Sequence, residues 1–327
     1  MFQKATQLAS KKIPFLIYTD FLATKVHVIE LDKLSYHDIE FELNRPNKIY
    51  YTLKRQRGDN SNNSKRNSLV KRPIPLSKYK KSFDTIIEEI KCGNTYLLNL
   101  TFSTPIQTQL SLQEVFKNST ARFKLRVKNE FLCCSPEQFI QIQGNKISTF
   151  PMKGTINALT PNAETTILND KKELAEHTMV VDLLRNDLGI VSSHVKVEKF
   201  RFVERINAGQ NDLLQVSSKI TAQLPNNWHN NFGTILQQLL PAGSITGTPK
   251  KSTVSIIQDV EHHDRNYFCG VFGVFDGENF DSAVMIRFIE NQRKNNQDHF
   301  IYKSGGGITL DSDLEREYQE MIDKVYI

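Results

Sequence analysis

The sequence predicts an α+β fold, and three observations carry that prediction. Strand-like and helix-like segments mix along the 327 residues without the regular alternation of a doubly wound parallel sheet. Short apolar runs separated by turn signals point to antiparallel pairing, most clearly YFCGVFGVF and FDSAVMIRFIE around the turn DGEN. At least five segments carry helical periodicity, and the chain has no internal repeat and no glycine-rich dinucleotide fingerprint.

Taken in order, residues 12 to 53 read as short strands: PFLIYTDF, VHVIELD, LSYHDIEFELN and KIYYTLK. YKKSFDTIIEEIKCG is amphipathic, with Phe83, Ile86, Ile87 and Ile90 on one face and Gly93 as a stop signal. Strands follow in TYLLNLTFSTPI, RFKLRV, EFLCCS and QFIQIQGNKISTF. Helices are predicted over KKELAEHTMVVDLLRNDL, WHNNFGTILQQLL, PKKSTVSIIQDVE and DLEREYQEMIDKVY, with the hairpin between the last two.

Composition excludes several classes. No apolar run approaches the roughly 20 residues of a membrane span, and the opening residues lack the pattern of a signal peptide. Cys92, Cys133, Cys134 and Cys269 fit neither a disulfide framework nor a zinc module, so a reducing cytoplasm is the expected setting. Lys and Arg number 42 against 36 Asp and Glu, a net +6. The surplus is concentrated in KRQRGDNSNNSKRNSLVKRP (54–73). With no aromatic residue to stack on bases, this stretch reads as a solvated linker, and no nucleic-acid partner is expected.

Two helices carry paired carboxylates. Glu173 and Glu176 share one face, beside a core stripe of Leu174, Val181, Leu184 and Leu188. In the last helix Ser312 and Glu315 form an expected capping box. Glu317, Glu320 and Lys324 follow at spacings of three and four, beside Leu314, Met321 and Val325. Two such pairs brought together would suit Mg²⁺, a hard cation that keeps waters and accepts a further carboxylate; solvated helix faces would show the same spacing. Three features suit anions. Consecutive glycines in Ser304-Gly305-Gly306-Gly307 allow backbone N–H groups to converge. GSITGTPK (243–250) ends in a helix start, with Thr248 as N-cap and Pro249 at the first helical position. Period-2 alternation places Arg287 beside Ala283, Met285 and Ile289, where it requires a structural salt bridge or a bound carboxylate.

Together these segments resemble the chorismate-utilising enzymes: anthranilate synthase component I, aminodeoxychorismate synthase component I, and isochorismate and salicylate synthases. The stretches that carry the resemblance are GNTYLLNLT (93–101), SPEQF (135–139), PMKGT (151–155), LAEHTMVVDLLRNDLG (174–189), GSITGTPK (243–250), MIRFIE (285–290) and SGGGITLDSDLEREYQEMIDK (304–324). The fold so implied is a sandwich of antiparallel sheets flanked by helices. Residues 1–75 would form a reduced N-terminal β-rich region with a basic linker, and residues 76–327 the chorismate-binding catalytic domain, packed as one unit. A tryptophan pocket known in some relatives is expected to be absent or altered.

The resemblance also implies roles. Lys153 stands where aminodeoxychorismate synthases carry lysine and anthranilate synthases alanine. It would attack C2 of chorismate as the C4 hydroxyl leaves, after which ammonia adds at C4. Glu137 would be the general acid, and its spacing from Lys153 fits two adjacent strands facing one pocket. Glu176 and Glu320 would be the principal Mg²⁺ ligands, with Glu173 and Glu317 assisting directly or through water. Lys324 would support the metal-held ring carboxylate. Arg287 and the N–H groups of Gly305 and Gly306 would take the enolpyruvyl carboxylate, and Thr155 and Gly243 complete the substrate-binding set. Leu97, Gln215 and Phe268 depart from the glutamine or lysine, histidine and tyrosine found at these positions in relatives. The expected function is aminodeoxychorismate synthase component I, of p-aminobenzoate and folate biosynthesis. No Cys/His/Glu triad motif is visible, so a separate glutamine amidotransferase subunit would supply the ammonia. The alternatives are anthranilate synthase component I and a catalytically silent chorismate-binding subunit.

Overall fold

The computed structural model describes residues 1–45, 48–51, 69–208, 211–293, 295 and 297–327. Most of the predicted basic linker, residues 54–68, lies outside these.

Two nine-stranded antiparallel sheets share one apolar core. The first runs Met152–Asn157, Asn211–Gln223, Lys146–Thr149, Gln138–Gln143, Phe280–Val284, Val271–Phe275, Phe15–Thr19 and Val26–Glu30, with Ser193–Ala208 also paired to Asn211–Gln223. The second runs Gly247–Thr248, Leu97–Gln107, Phe300–Ile308, Phe288–Asn291, Phe131–Ser135, Phe123–Val127, Ile39–Arg45 and Lys48–Tyr51, with Val70–Lys71 also paired to Leu97–Gln107. The strands before residue 52 are thus divided between the sheets. The central strands are buried end to end: Phe15–Thr19, Phe123–Val127, Val271–Phe275 and Phe280–Val284. Phe15–Thr19 and Val271–Phe275 are apolar almost throughout, whereas Phe123–Val127 and Phe280–Val284 also bury Lys124, Arg126, Asp281 and Ser282.

The predicted helices are present as Leu76–Lys91, Lys171–Val191, Phe232–Leu239, Lys250–Val260 and Leu314–Asp323. Phe2–Ser10, Leu112–Asn118, Ala163–Asn169 and the long strands Ser193–Ala208 and Asn211–Gln223 have weaker patterns and escape the sequence reading. Phe2–Ser10 is held by packing: a Cβ on Gly233 would lie 2.2 Å from the Phe2 carbonyl, and Thr6 Oγ1 accepts from Gly233 N.

Four local expectations are corrected. Phe280–Asn291 is not one strand. Arg287, at φ 52°, breaks it where the chain passes from the first sheet to the second, so the alternation argument for its direction fails. The SGGG segment, whose glycines were expected to gather N–H groups, is extended as a strand, since Leu97–Gln107 pairs with it through Ile308. The last helix is capped by Asp313, whose side chain accepts from Arg316 N, which leaves Ser312 to bond Glu317. The helix after GSITGTPK begins at Lys250, because Thr248 pairs with Leu97. On Lys171–Val191 the buried positions include Glu176, Val181, Leu184 and Leu188, while Leu174 is exposed.

Candidate active site

Two sheet-to-sheet crossings and two sheet edges converge on the paired carboxylates. Glu137 lies on the crossing from Phe131–Ser135 to Gln138–Gln143, and Arg287 on the neighbouring crossing from Phe280–Val284 to Phe288–Asn291. Backbone bonds tie them together: Val284 N donates to Glu137 O and Cys134 N to Arg287 O, both at 3.1 Å. The expectation that Glu137 and Lys153 occupy adjacent strands is therefore wrong. Lys153 is on the edge strand Met152–Asn157, and Asn211–Gln223 and Lys146–Thr149 intervene.

A register shift between Met152 and Thr155 aims Lys153, since an irregularity of this kind redirects a side chain at a sheet edge. Gly154 makes the turn possible. Its φ is +88°, and an added Cβ would sit 3.0 Å from Glu173 Oε2. Lys153 Nζ contacts Glu176 Oε2 at 2.6 Å, with its own side chain only a quarter exposed. Burial pushes the Lys153 pKa down, but Glu176 at contact, with Glu173 and Glu320 beyond, outweighs it and leaves the amine above its ordinary value.

The last helix supplies the opposite wall. Glu320 Oε1 meets Lys324 Nζ at 2.6 Å, and Lys324 also donates to the Gly305 carbonyl at 2.8 Å. Burial raises the Glu320 pKa, yet Lys324, Lys153 and Arg287 together hold the carboxyl below its usual range. Ser312 donates to Glu317 Oε1 at 2.8 Å. Lys172, not singled out by sequence, lies 3.8 Å from Glu176 and 3.9 Å from Glu317, bridging the two helices. Its i, i+4 spacing to Glu176 was the available signal.

The glycine strand forms the floor. A Cβ on Gly306 would meet Glu317, Lys324 and Glu320 at 3.5–3.7 Å, and one on Gly307 would lie 3.6 Å from Lys153 Nζ and 3.4 Å from Leu97. Register decides which N–H groups face the cluster. Asn99 N donates to Thr246 O and Thr101 N to Glu261, so their partners Gly307 and Gly305 occupy non-hydrogen-bonded pairs. Gly306, opposite Leu100, has its N–H committed to the ladder, which corrects the expected Gly305 and Gly306 pair to Gly305 and Gly307. Both point to the side where Phe288–Asn291 pairs only as far as Lys303.

Glu137 Oε1 accepts from Ser244, and Oε2 has no protein hydrogen-bond partner among the described residues. Burial raises its pKa, opposed by Ser244, Arg287 and Lys324. Gly243 packs the Ser244 turn against the carboxylate helix, where a Cβ would lie 2.7 Å from Asp187 Oδ2, and Asp187 is paired with Lys250 at 2.7 Å. Gly243 is thus a close-approach glycine. Thr155 is exposed on the Lys153 strand, opposite Gln215. Leu97 and Phe268 are buried. Arg287 forms no ion pair among the described residues. Its protein hydrogen bond goes from Nε to the Tyr326 hydroxyl at 2.9 Å.

Among the described residues no three His, Cys, Asp or Glu side chains form a ready metal cage. Lysines and Ser312 occupy the carboxylates instead, while Glu173 Oε2 is buried with no partner. An orphaned carboxylate oxygen near further glutamates is a donor set that fits a hard divalent ion retaining waters.

The chain matches the chorismate binding enzyme family over residues 2–327. It is 41% identical to an uncharacterised PabA-like protein of Haemophilus influenzae, over 99% of this chain and 95% of that one. It is 35% identical to aminodeoxychorismate synthase component 1 of Escherichia coli, over 76% of this chain and 56% of the relative. The structure of anthranilate synthase component I from Streptococcus pneumoniae superposes with a TM-score of 0.63 at 25% identity, covering 79% of this chain and 58% of that one. The chain belongs to the chorismate-binding enzyme family, and its fold is that of anthranilate synthase component I. Among the described residues no helix is long and apolar enough to cross a membrane.

Proposed function

We propose that the chain makes 4-amino-4-deoxychorismate from chorismate and ammonia, as aminodeoxychorismate synthase component I. The observation that carries this reading is a lysine on an edge-strand irregularity, aimed by Gly154 into a cluster of carboxylates. Arg287 supports it. A half-buried arginine with no carboxylate partner among the described residues suits an anionic ligand.

Chorismate would bind through its enolpyruvyl carboxylate to Arg287 and the N–H groups of Gly305 and Gly307, with its ring carboxylate toward Lys324. Lys153 as held is an ammonium, so attack requires its proton to leave, and Glu176 Oε2 at 2.6 Å is the nearest acceptor. The amine then bonds to C2, both ring double bonds shift along the ring, and the C4 hydroxyl departs as water with a proton from Glu137. Ammonia bonds at C4, both double bonds return to their first positions, and Lys153 is released as its bond to C2 breaks. Glu137 takes back the proton that ammonia loses. The fit of the four glutamates makes Mg²⁺ the proposed cofactor, held by Glu176 and Glu320 with Glu173 and Glu317, and its chemistry would be charge neutralisation of the ring carboxylate. A separate glutamine amidotransferase subunit is the proposed ammonia source.

The test is product identification after incubation with chorismate, Mg²⁺ and ammonium, with and without a glutaminase partner. Aminodeoxychorismate is expected. Anthranilate as the main product would assign the chain to the other branch, and chorismate binding without turnover would make it a silent subunit.

A further inference from the structure

Arg287 is held by a residue outside every motif described above. The last helix ends at Asp323, and Lys324 turns back through its N–H to the Glu320 carbonyl. Val325 then enters an apolar cluster with Ile106, Leu112, Leu132, Ile289 and Tyr302, where it is fully buried. That anchor fixes Tyr326 over Arg287, with the guanidinium carbon 5.2 Å from the ring centroid and Nε donating to the hydroxyl at 2.9 Å.

The consequence lies in arginine's geometry. A guanidinium can grip a carboxylate side-on, through Nε and one terminal nitrogen, or end-on, through its two terminal nitrogens. Tyr326 occupies Nε and covers one face, so only the end-on fork is left. The backbone at Arg287 is itself fixed, at φ 52° with its carbonyl bonded to Cys134 N.

We propose that Tyr326 is a positioning residue that orients Arg287 for end-on capture of a substrate carboxylate. The inference rests on the reading of Arg287 as a carboxylate site given under Proposed function. It deepens that reading by naming what aims the arginine.

Chorismate titrated calorimetrically into the full chain with Mg²⁺ tests it, because binding requires no turnover. Tyr326→Phe should weaken binding about fivefold, the range of one lost hydrogen bond. Tyr326→Ala should weaken it about twentyfold by also losing the ring contact. Tyr326 is half-exposed, so thermal midpoints should not move. In an Arg287→Lys background, which has no fork to orient, both effects should fall below about twofold. Unchanged affinity in Tyr326→Phe and Tyr326→Ala, or the same losses with Lys at 287, would overturn the proposal while leaving the proposed reaction standing. A wild-type chain that binds no chorismate overturns both.

Discussion

Gly305 and Gly306 are neighbours with identical side chains, yet alanine at each should do different things. At Gly305 an added Cβ would sit 2.1 Å from the Leu100 carbonyl oxygen and 2.7 Å from Thr101 Cα. Both are backbone atoms, so relief requires the strand Leu97–Gln107 to retreat by about 1.3 Å, which disrupts its pairing. Overpacking plus one or two weakened ladder bonds places the cost of Gly305→Ala at about 3 kcal/mol. At Gly306 the same atom meets only side-chain tips at 3.5–3.7 Å, which is ordinary contact. Gly306→Ala should therefore be neutral in stability, or stabilising by about 0.5 kcal/mol through the restricted unfolded chain. It nonetheless places a methyl between Glu317, Glu320 and Lys324, and chorismate binding should fall at least tenfold. Urea denaturation and calorimetric titration of both variants separate the cases. A stable Gly305→Ala protein, or a Gly306→Ala protein that binds chorismate normally, would refute the placement of the strand as the site floor.

Other expectations follow from the same geometry. Lys153→Ala should abolish amination and remove any covalent adduct detectable by mass spectrometry; an unchanged rate would exclude it as the nucleophile. Glu320→Gln should raise the Mg²⁺ requirement and loosen Lys324, and an unaltered metal dependence in steady-state assays would strike it from the ligands. His177 is buried against Ser218, and desolvation, with the nearby Arg201 charge, lowers its pKa from 6.5 to about 4. A lowered histidine favours the neutral folded form, so its contribution is complete above pH 6.5 and is lost as pH falls toward 4. The loss reaches up to about 3 kcal/mol for a shift of this size. Denaturation from pH 7 to pH 4 should show a weaker acid dependence in His177→Gln than in the wild type, and parallel curves would count against this account.

The groups that the fold brings together in the candidate site were marked in the sequence, and their arrangement was only partly legible there. Local spacing sufficed for Glu173 with Glu176 and for Glu317 with Glu320 and Lys324, because three and four residues span one helical turn wherever the helix lies. The same helical periodicity located five helices, and short apolar runs between turn signals located most strands. Lys153, Glu137 and Arg287 were marked as chemical groups by motif, but their directions depend on a register shift, two sheet crossings and a positive φ. No two-residue alternation encodes those. Leu174 fell on the predicted core stripe and lies exposed, because Lys171–Val191 turns Glu176 inward toward Lys153.

What the chain alone determined is the inventory: the helix faces, the apolar strands, the glycines and the charged groups of the candidate site. Only the tertiary structure decided that Gly307 and not Gly306 offers its N–H, that Ser244 holds one oxygen of Glu137, and that Tyr326 rests on Arg287. Each of those is a contact between segments tens to hundreds of residues apart. Pairing register and crossing geometry set such contacts, and both arise from packing two whole sheets together.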